Sequence, residues 1–302
     1  MPSLSAMYPY FWLGLAFGAV YAVSGTGLVV LYRTTGVLNF AFGAIGMMGA
    51  NISWSLLQKS WLPHFFAFAA CVVFSLIATV FYGLVLAPQF AQRDALSKTV
   101  GTLGFALLLV GIVFIGWRTA DARTFELPMK RFKFNIGSAR LNGLHLTALI
   151  FALVVVVAVS FFLNHSKLGT AMRAVANDRE IAALIGVPVR RVETVAWVGA
   201  GLLTGLVGLM LASLVNFDVN TLAFSLLVPC LAAAVIGRLE SLWLAFFGGL
   251  VIGVVEKLTV PFKGSLQLVK DHGTMAPFLL AIIATLWFGR KRTIVLSGRE
   301  MR

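Results

Sequence analysis

The sequence predicts an all-α polytopic membrane protein. It reads as a single transmembrane domain over residues 1–302, a bundle of about 8–9 transmembrane helices, with one polar helical stretch on the cytoplasmic side. Three observations carry this prediction. The chain is 60% hydrophobic and 12% charged, with a mean hydropathy of +0.94, far from the balance of a water-soluble domain. Its apolar residues form continuous runs close to the roughly 20 residues a bilayer-spanning helix needs, without the alternation of a transmembrane barrel strand. One long segment, Leu168 to Arg191, breaks the pattern with a concentration of charge.

The first run, Tyr8 to Tyr32, stops at Arg33. Gly14, Gly18 and Ala22 recur on one helix face, which lets another backbone approach closely. No Lys or Arg precedes this run, so it is expected to be a retained span and not a cleaved signal peptide. The second run, Gly36 to Leu57, is less regular and reads NFAFGAIGMMGAN at its centre. An unpaired amide is costly in lipid, so Asn39 is expected to face protein or a wet cavity. Two readings stay open here. Asn39, Phe42, Gly43, Gly46 and Asn51 could line a solute route, as glycine-interrupted helices do in transporters, or the amides and glycines could serve helix packing.

A third run, Trp61 to Leu86, ends at Pro88, and a fourth covers Val100 to Trp117. Between the fourth and fifth lies a basic segment, Arg118 to Leu144, in which RFKFNIGSARLNG alternates and then turns at glycine, the pattern of a small hairpin. His145 to Leu163 forms the fifth span, about Val192 to Val215 the sixth, Leu222 to Ile236 the seventh and Leu242 to Val255 the eighth. The last, Met275 to Phe288, precedes a basic tail, 289–302. Loop charge orients the chain with its N-terminus outside and Arg33, the Arg93 loop, the central stretch, Arg238 and the tail in the cytoplasm. The basic segment Arg118 to Arg140 then lies outside, against the rule.

The central polar stretch (about residues 165–191) has the marks of ordered structure. Asn177, with Glu180 following, resembles a capping box that starts a helix. Ile181, Leu184 and Ile185 form an apolar stripe, Gly186 suits a helix C-cap, and Pro188 blocks continuation. Such a helix must bury its stripe, either under its own bundle or on a cytosolic partner.

The sequence offers no catalytic apparatus. It contains no GxxxxGK[ST], no HExxH and no GxSxG. His64, His145, His165 and His272 lie apart, so no metal and no cofactor is expected. Cys71 and Cys230 fall inside apolar runs and read as packing residues. The spans are nearly free of Asp, Glu, Lys and Arg, which argues against a charge-relay pump, and Glu240 and Glu256 fall at span ends where solvation is expected. The net charge of +13 sits in loops between apolar runs, as retention at a lipid interface requires, and no nucleic-acid partner is expected. The chain reads as a mover of a small-molecule solute driven from elsewhere, not an enzyme.

Two stretches together point to a family. GLAFGAVYAVSGTGLVVLYRTTGVLNFAFGAIGMMGA resembles the N-terminal signature of LivH/LivM-type permeases, the membrane subunits of branched-chain amino acid ABC importers. KLGTAMRAVANDREIAALIGVPVRRVETVAWVGAGLLTGLVGLMLA is similar to that family's cytoplasmic coupling segment and following helix. APQFAQRDALSKTVGTLGFALLLVGI and GGLVIGVVE fit in order and spacing.

The resemblance implies a multi-pass protein of the bacterial inner membrane. Its partners would be two cytosolic ABC ATPase subunits, a second permease subunit that makes a hetero-dimer, a periplasmic solute-binding protein and the surrounding membrane lipid. By position, Gly169, Arg173, Ala176, Asp178 and Gly186 match the coupling signature, with Arg179 beside them. Asn39, Phe40, Ala41 and Gly43 match an NFAHGE-like motif in which Phe42 replaces histidine and Ala44 replaces the acid. Ile236 to Ser241 stands where the family tends to have GGxGS. These departures bear on the substrate, since relatives also handle urea, short amides and other small solutes. Two rivals lie outside the family reading: a stand-alone facilitator or channel, and a membrane scaffold with no route.

Overall fold

The computed structural model describes residues 4–59, 63–90, 93–117, 132–136, 139–215 and 219–261, with positions 279, 282 and 283. It is a helical bundle. In chain order the elements are α1 (Leu4–Thr35), α2 (Phe42–Lys59), α3 (His64–Phe81), α4 (Ala95–Gly116), β1 (Lys133–Ile136), β2 (Ala139–Asn142) and α5 (Gly143–His165). There follow α6 (Lys167–Asn177), α7 (Arg179–Leu184), α8 (Val189–Leu214), α9 (Val219–Ile236) and α10 (Leu242–Leu258). Beyond Phe81, α3 widens into a π turn, Tyr82–Leu86, and tightens into a 3-10 turn, Ala87–Phe90.

Five helical stretches are long and apolar enough to cross a membrane: Met7–Thr35, His64–Phe90, Leu96–Gly116, Gly143–His165 and Val189–Leu214. The other expected spans are shorter or lie elsewhere. α2 has 18 residues and carries Asn51, Ser53 and Ser55, and α10 has 17. The expected last span, Met275 to Phe288, and the basic tail lie outside the described residues, apart from the three positions named.

Burial ranks the helices. The apolar window of α1 is 83% buried and that of α5 only 17%, so α1 is the central post and α5 a peripheral helix. α1 lies against α5, α8, α9 and α10. Two of its buried hydroxyls are satisfied within the helix, as an apolar surround demands: Ser24 donates to the Val20 carbonyl at 2.7 Å and Thr26 to that of Ala22 at 2.7 Å.

Glycines set the close contacts. A Cβ on Gly14 would stand 2.6 Å from the Val254 Cα, and one on Gly18 2.8 Å from the Leu250 Cα. A Cβ on Gly249 or Gly253 would run into the backbone of Ala22 or Gly18. The small-residue face expected on the first span thus meets a matching face on α10. A second seam joins α2, α3 and α8: a Cβ on Gly205 would lie 2.7 Å from the Val72 Cα, one on Gly201 2.8 Å from the Leu76 Cα, and one on Gly208 2.6 Å from the Gly46 carbonyl oxygen.

The expected hairpin is present. β1 and β2 pair antiparallel, with Lys133 opposite Asn142 and Ile136 opposite Ala139. Cys71 and Cys230 are buried and unbridged, as packing residues should be. Three expectations need correction. The second run does not begin its helix at Gly36: α2 starts at Phe42, because residues 37–41 form an irregular turn around Asn39. Asn177 does not cap a helix; it ends α6, and Asp178 caps α7. Glu256 is not solvated. Its side chain is 14% exposed because it folds against α1, accepting from the Tyr21 hydroxyl at 2.9 Å and the Lys257 ammonium at 2.7 Å. That ammonium also sits 3.6 Å from the centroid of the Phe17 ring, a cation–π contact.

Candidate functional site

The polar stretch folds as two short helices laid across the end of the bundle that carries Arg33. Ser166 starts α6, its hydroxyl accepting from the Gly169 N–H at 2.8 Å. α6 must lie tight on the end of α5: a Cβ on Gly169 would collide with the Phe162 carbonyl and stand 2.5 Å from the Leu163 Cα. Met172 and Val175 are buried on the α6 face turned to the bundle, in a cluster with Leu31, Val192 and Trp197. Arg173 lies on the exposed side and reaches back to Asn164 at 3.3 Å and Thr170 at 3.4 Å. Ala176 sits at the α6–α1 contact, beside Arg33 and Thr34.

Asp178 joins the two helices. Its backbone is extended (φ −155°, ψ 114°), and its carboxylate accepts from the N–H groups of Glu180 and Ile181, each at 2.9 Å. These are donors that no helical carbonyl can reach. Arg179 then pairs with Glu193 on α8, through Nε at 3.0 Å and Nη2 at 2.9 Å.

At the other end α7 closes in a Schellman motif. The Val187 N–H donates to the Ala182 carbonyl at 3.0 Å and the Gly186 N–H to that of Ala183 at 3.1 Å. Gly186 has φ +88°, the left-handed conformation that glycine adopts without steric cost. The helix is therefore fixed at its start, at its end and by an ion pair.

What α7 does with its apolar residues separates the two readings of the sequence. Only Ala182 turns to the bundle, at 2% exposed. Ile181, Leu184 and Ile185 are 57%, 86% and 71% exposed. A fixed helix thus presents an apolar stripe outward from the bundle, with charged residues on either side, and none of the described residues covers it.

We expect the Asp178 cap to be measurable. Asp178→Ala removes the acceptor of two N–H groups and costs α7 about 1 kcal/mol. Amide exchange at Glu180 and Ile181 should quicken about fivefold, while the α8 amides stay unchanged. Unchanged exchange at both positions would show that the cap does not hold the helix.

The residues proposed to line a route lie in the bundle interior. Asn39 is 1% exposed. Its Oδ1 accepts from the Ala41 N–H at 3.0 Å, and its Nδ2 has no partner among the described residues. The turn is clamped by α4: Thr102 accepts from the Phe40 N–H at 3.0 Å, and its hydroxyl lies 2.9 Å from the Leu38 carbonyl. Thr102, fully buried, is a positioning residue that the sequence alone did not single out. Its only signal was a hydroxyl within an apolar run.

Phe42 is wholly buried; a Cβ on Gly27 would meet its ring edge at 3.5 Å. Gly43 is buried. Gly46 receives α8 at Gly208, and Gly49 receives α3 at Ser75 and Cys71. Asn51 is fully buried, its amide donating to the Met47 carbonyl at 2.9 Å. The packing alternative therefore describes Gly46 and Gly49, and the Asn39 Nδ2 is the polar group in this motif whose partner the structure does not supply. No group of three or more His, Cys, Asp or Glu that could hold a metal occurs among the described residues.

Residues 10–286 match the family described as "Branched-chain amino acid transport system / permease component". The chain is 25% identical over 292 residues to the high-affinity branched-chain amino acid transport system permease protein LivH of Salmonella typhimurium, covering 90% of this chain and 91% of that one. It is 26% identical over 262 residues to the corresponding protein BraD of Pseudomonas aeruginosa, covering 80% and 83%. The fructose import permease protein FruG of Bifidobacterium longum is 27% identical over 211 residues, covering 67% and 59%.

Proposed function

The chain belongs to the family of permease components of branched-chain amino acid transport systems, and from that premise we propose that it is a membrane-spanning subunit of an ATP-driven importer for branched-chain or related amino acids. The observation that carries the proposal is the outward stripe of Ile181, Leu184 and Ile185 on a helix fixed at both ends. In this reading α6 and α7 are the coupling element, received by a groove on a cytosolic ATPase. Gly169, Arg173, Ala176, Asp178, Arg179 and Gly186 hold its shape. Two ATPase subunits, a second and unlike permease subunit and a periplasmic solute-binding protein complete the assembly in the bacterial inner membrane. In this reading α2, α9 and α10 also cross the membrane, beside the five helical stretches long and apolar enough to do so, toward the expected 8–9 crossings.

The chain carries no motif for generating energy, so the bias between outward-open and inward-open states comes from its partners. ATP bound to the ATPases and the solute-loaded binding protein each favour a different state, and a ligand shifts an equilibrium only by its differential affinity for the two. A rigid coupling helix transmits that difference to α8, through the Arg179–Glu193 pair and the short turn at Pro188. The Asn39 turn is the proposed polar contact on the solute route, since its buried Nδ2 lacks a partner among the described residues. A permease for urea, short amides or another small solute is the second reading, favoured by Phe42 and Ala44 where the related motif carries polar side chains.

The test is purification of the tagged chain from its native membrane in mild detergent, with identification of what accompanies it. We expect two ATPase subunits bearing a Walker motif, a second permease and a binding protein whose ligand then decides between the two substrate readings. Recovery of the chain alone, with solute flux through the purified chain in liposomes, would instead establish a stand-alone facilitator.

A further inference from the structure

We infer that the chain holds a binding site for one anionic phospholipid at the cytoplasmic edge of the bundle, between the end of α3 and the coupling segment. A cavity of about 460 Å³ lies there. Its polar wall brings together Lys98 from the first turn of α4, Arg179 from α7 and Arg190 from α8, with Glu193 as the single acid. Arg179 is neutralised by Glu193. Lys98 and Arg190 have no ion-pair or hydrogen-bond partner for their side chains among the described residues. Two cations thus face one cavity with no anion among the described residues to balance them.

The opposite wall is apolar, formed by Leu84 and Trp197 among others. Leu84 is at once a wall of the cavity and 51% exposed, so the cavity opens onto the outer surface of α3. That surface is a row: Val73, Ile77, Phe81 and Leu84 are 51%, 60%, 48% and 51% exposed and recur at helical spacing on one face. The row extends about 16 Å along the helix, close to half the roughly 30 Å hydrocarbon thickness of a bilayer. It ends where α3 leaves regular geometry in the π turn, with Gly83 seated on the Trp197 ring.

An uncompensated cationic pocket continuous with an apolar track of single-leaflet length fits one kind of ligand, an amphiphile with an anionic head and an acyl tail. A phosphodiester lipid of net negative charge supplies both, and basic pockets between helices at the cytoplasmic face are suited to such heads. A free phosphate would use the cations and leave the track empty, and so would an acidic segment of a partner protein. Because Arg179 and Arg190 flank the Pro188 turn, the bound lipid would touch the coupling segment and the bundle together.

The experiment is native mass spectrometry of the full-length chain in mild detergent, titrated with phosphatidylglycerol, with phosphatidylcholine and with inorganic phosphate. One phosphatidylglycerol should bind about thirtyfold more tightly than phosphatidylcholine, the gain expected from two cations near a head group. The double variant Lys98→Gln, Arg190→Gln should lose that preference and keep its phosphatidylcholine binding. The charge-conserving pair Lys98→Arg, Arg190→Lys should restore it, and an unchanged melting profile would show that the glutamine variant folds. Equal binding of the two lipids, or an undiminished preference in the glutamine variant, overturns the site. So does competition by millimolar inorganic phosphate as effective as that of the lipid. Loss of a co-purified ATPase subunit with phosphatidylglycerol binding intact would assign the cations to a protein partner and also overturn it.

Discussion

Gly253→Leu should abolish the folded protein. The glycine faces α1 at a place where even a Cβ would overlap the Gly18 backbone, and the remaining atoms of a leucine have nowhere to go. Over-packing in a core usually costs about 1–3 kcal/mol, because side chains yield. Here the obstruction is main chain, so relief requires moving α10 away from the central helix along most of its length. The loss then approaches the roughly 5–15 kcal/mol that a folded domain has in total. Gly104→Leu on α4 is the matched control, since nothing lies within 4 Å of where its Cβ would be. The control should be extracted in mild detergent at wild-type yield and melting temperature, while Gly253→Leu should be recovered only as aggregate. A monodisperse Gly253→Leu protein with a melting temperature near wild type would show that α1 and α10 do not pack as described.

The double substitution Leu184→Glu, Ile185→Glu should remove transport and leave the chain folded. The two side chains are 86% and 71% exposed, so none of the described residues packs over them, and exposed substitutions usually change stability by less than about 0.5 kcal/mol. On the proposed function, the same side chains would anchor the coupling helix in the ATPase groove. Burial of each contributes about 1.5–3 kcal/mol, so losing both should weaken ATPase association by about 10²–10⁴-fold. Co-purification of the ATPase subunits and solute-stimulated ATP hydrolysis should both disappear, while the melting temperature of the permease stays within about 2 °C. Wild-type transport by this variant would refute a coupling role for α7.

Much of the fold was legible because membrane helices are written in continuous apolar runs, and within the described residues each run overlaps an observed helix, although the second run starts at Gly36 and its helix only at Phe42. The small-residue faces were legible too, but not their partners: Gly14 and Gly18 announce a close approach without saying that α10 makes it. Glu256 shows the same limit. Its place near a span end is a matter of sequence, whereas its inward turn depends on Tyr21, 235 residues away. The cap of α7 went to Asp178 because Asn177 keeps a helical backbone as the last residue of α6, and two adjacent capping residues look alike until one is placed.

In the candidate site the sequence conveyed the stripe of Ile181, Leu184 and Ile185, since periodicity fixes a face. It could not convey whether that face is covered, which depends on where the bundle ends. The clamp of the Asn39 turn by Thr102 was invisible, being a contact across 62 residues made by a side chain with no local pattern. The turn after α9 was half legible. Arg238 and Leu239 adopt φ +57° and +54°, so the structure asks for the left-handed backbone that glycines in the related GGxGS pattern would supply freely.

The two glycine seams also have a kinematic consequence. Where backbone rests on backbone there is no compliant layer of side chains in which one helix could slide past another. α1 with α10 forms one such welded block, and α2 with α3 and α8 forms the other. Between the blocks, α1 meets α8 through deformable material, as where Leu203 lies against Gly27. Any large rearrangement is therefore a rotation of one block against the other about that softer plane. A distance probe pairing α1 with α10 should stay constant through a transport cycle in which a probe pairing α1 with α8 changes.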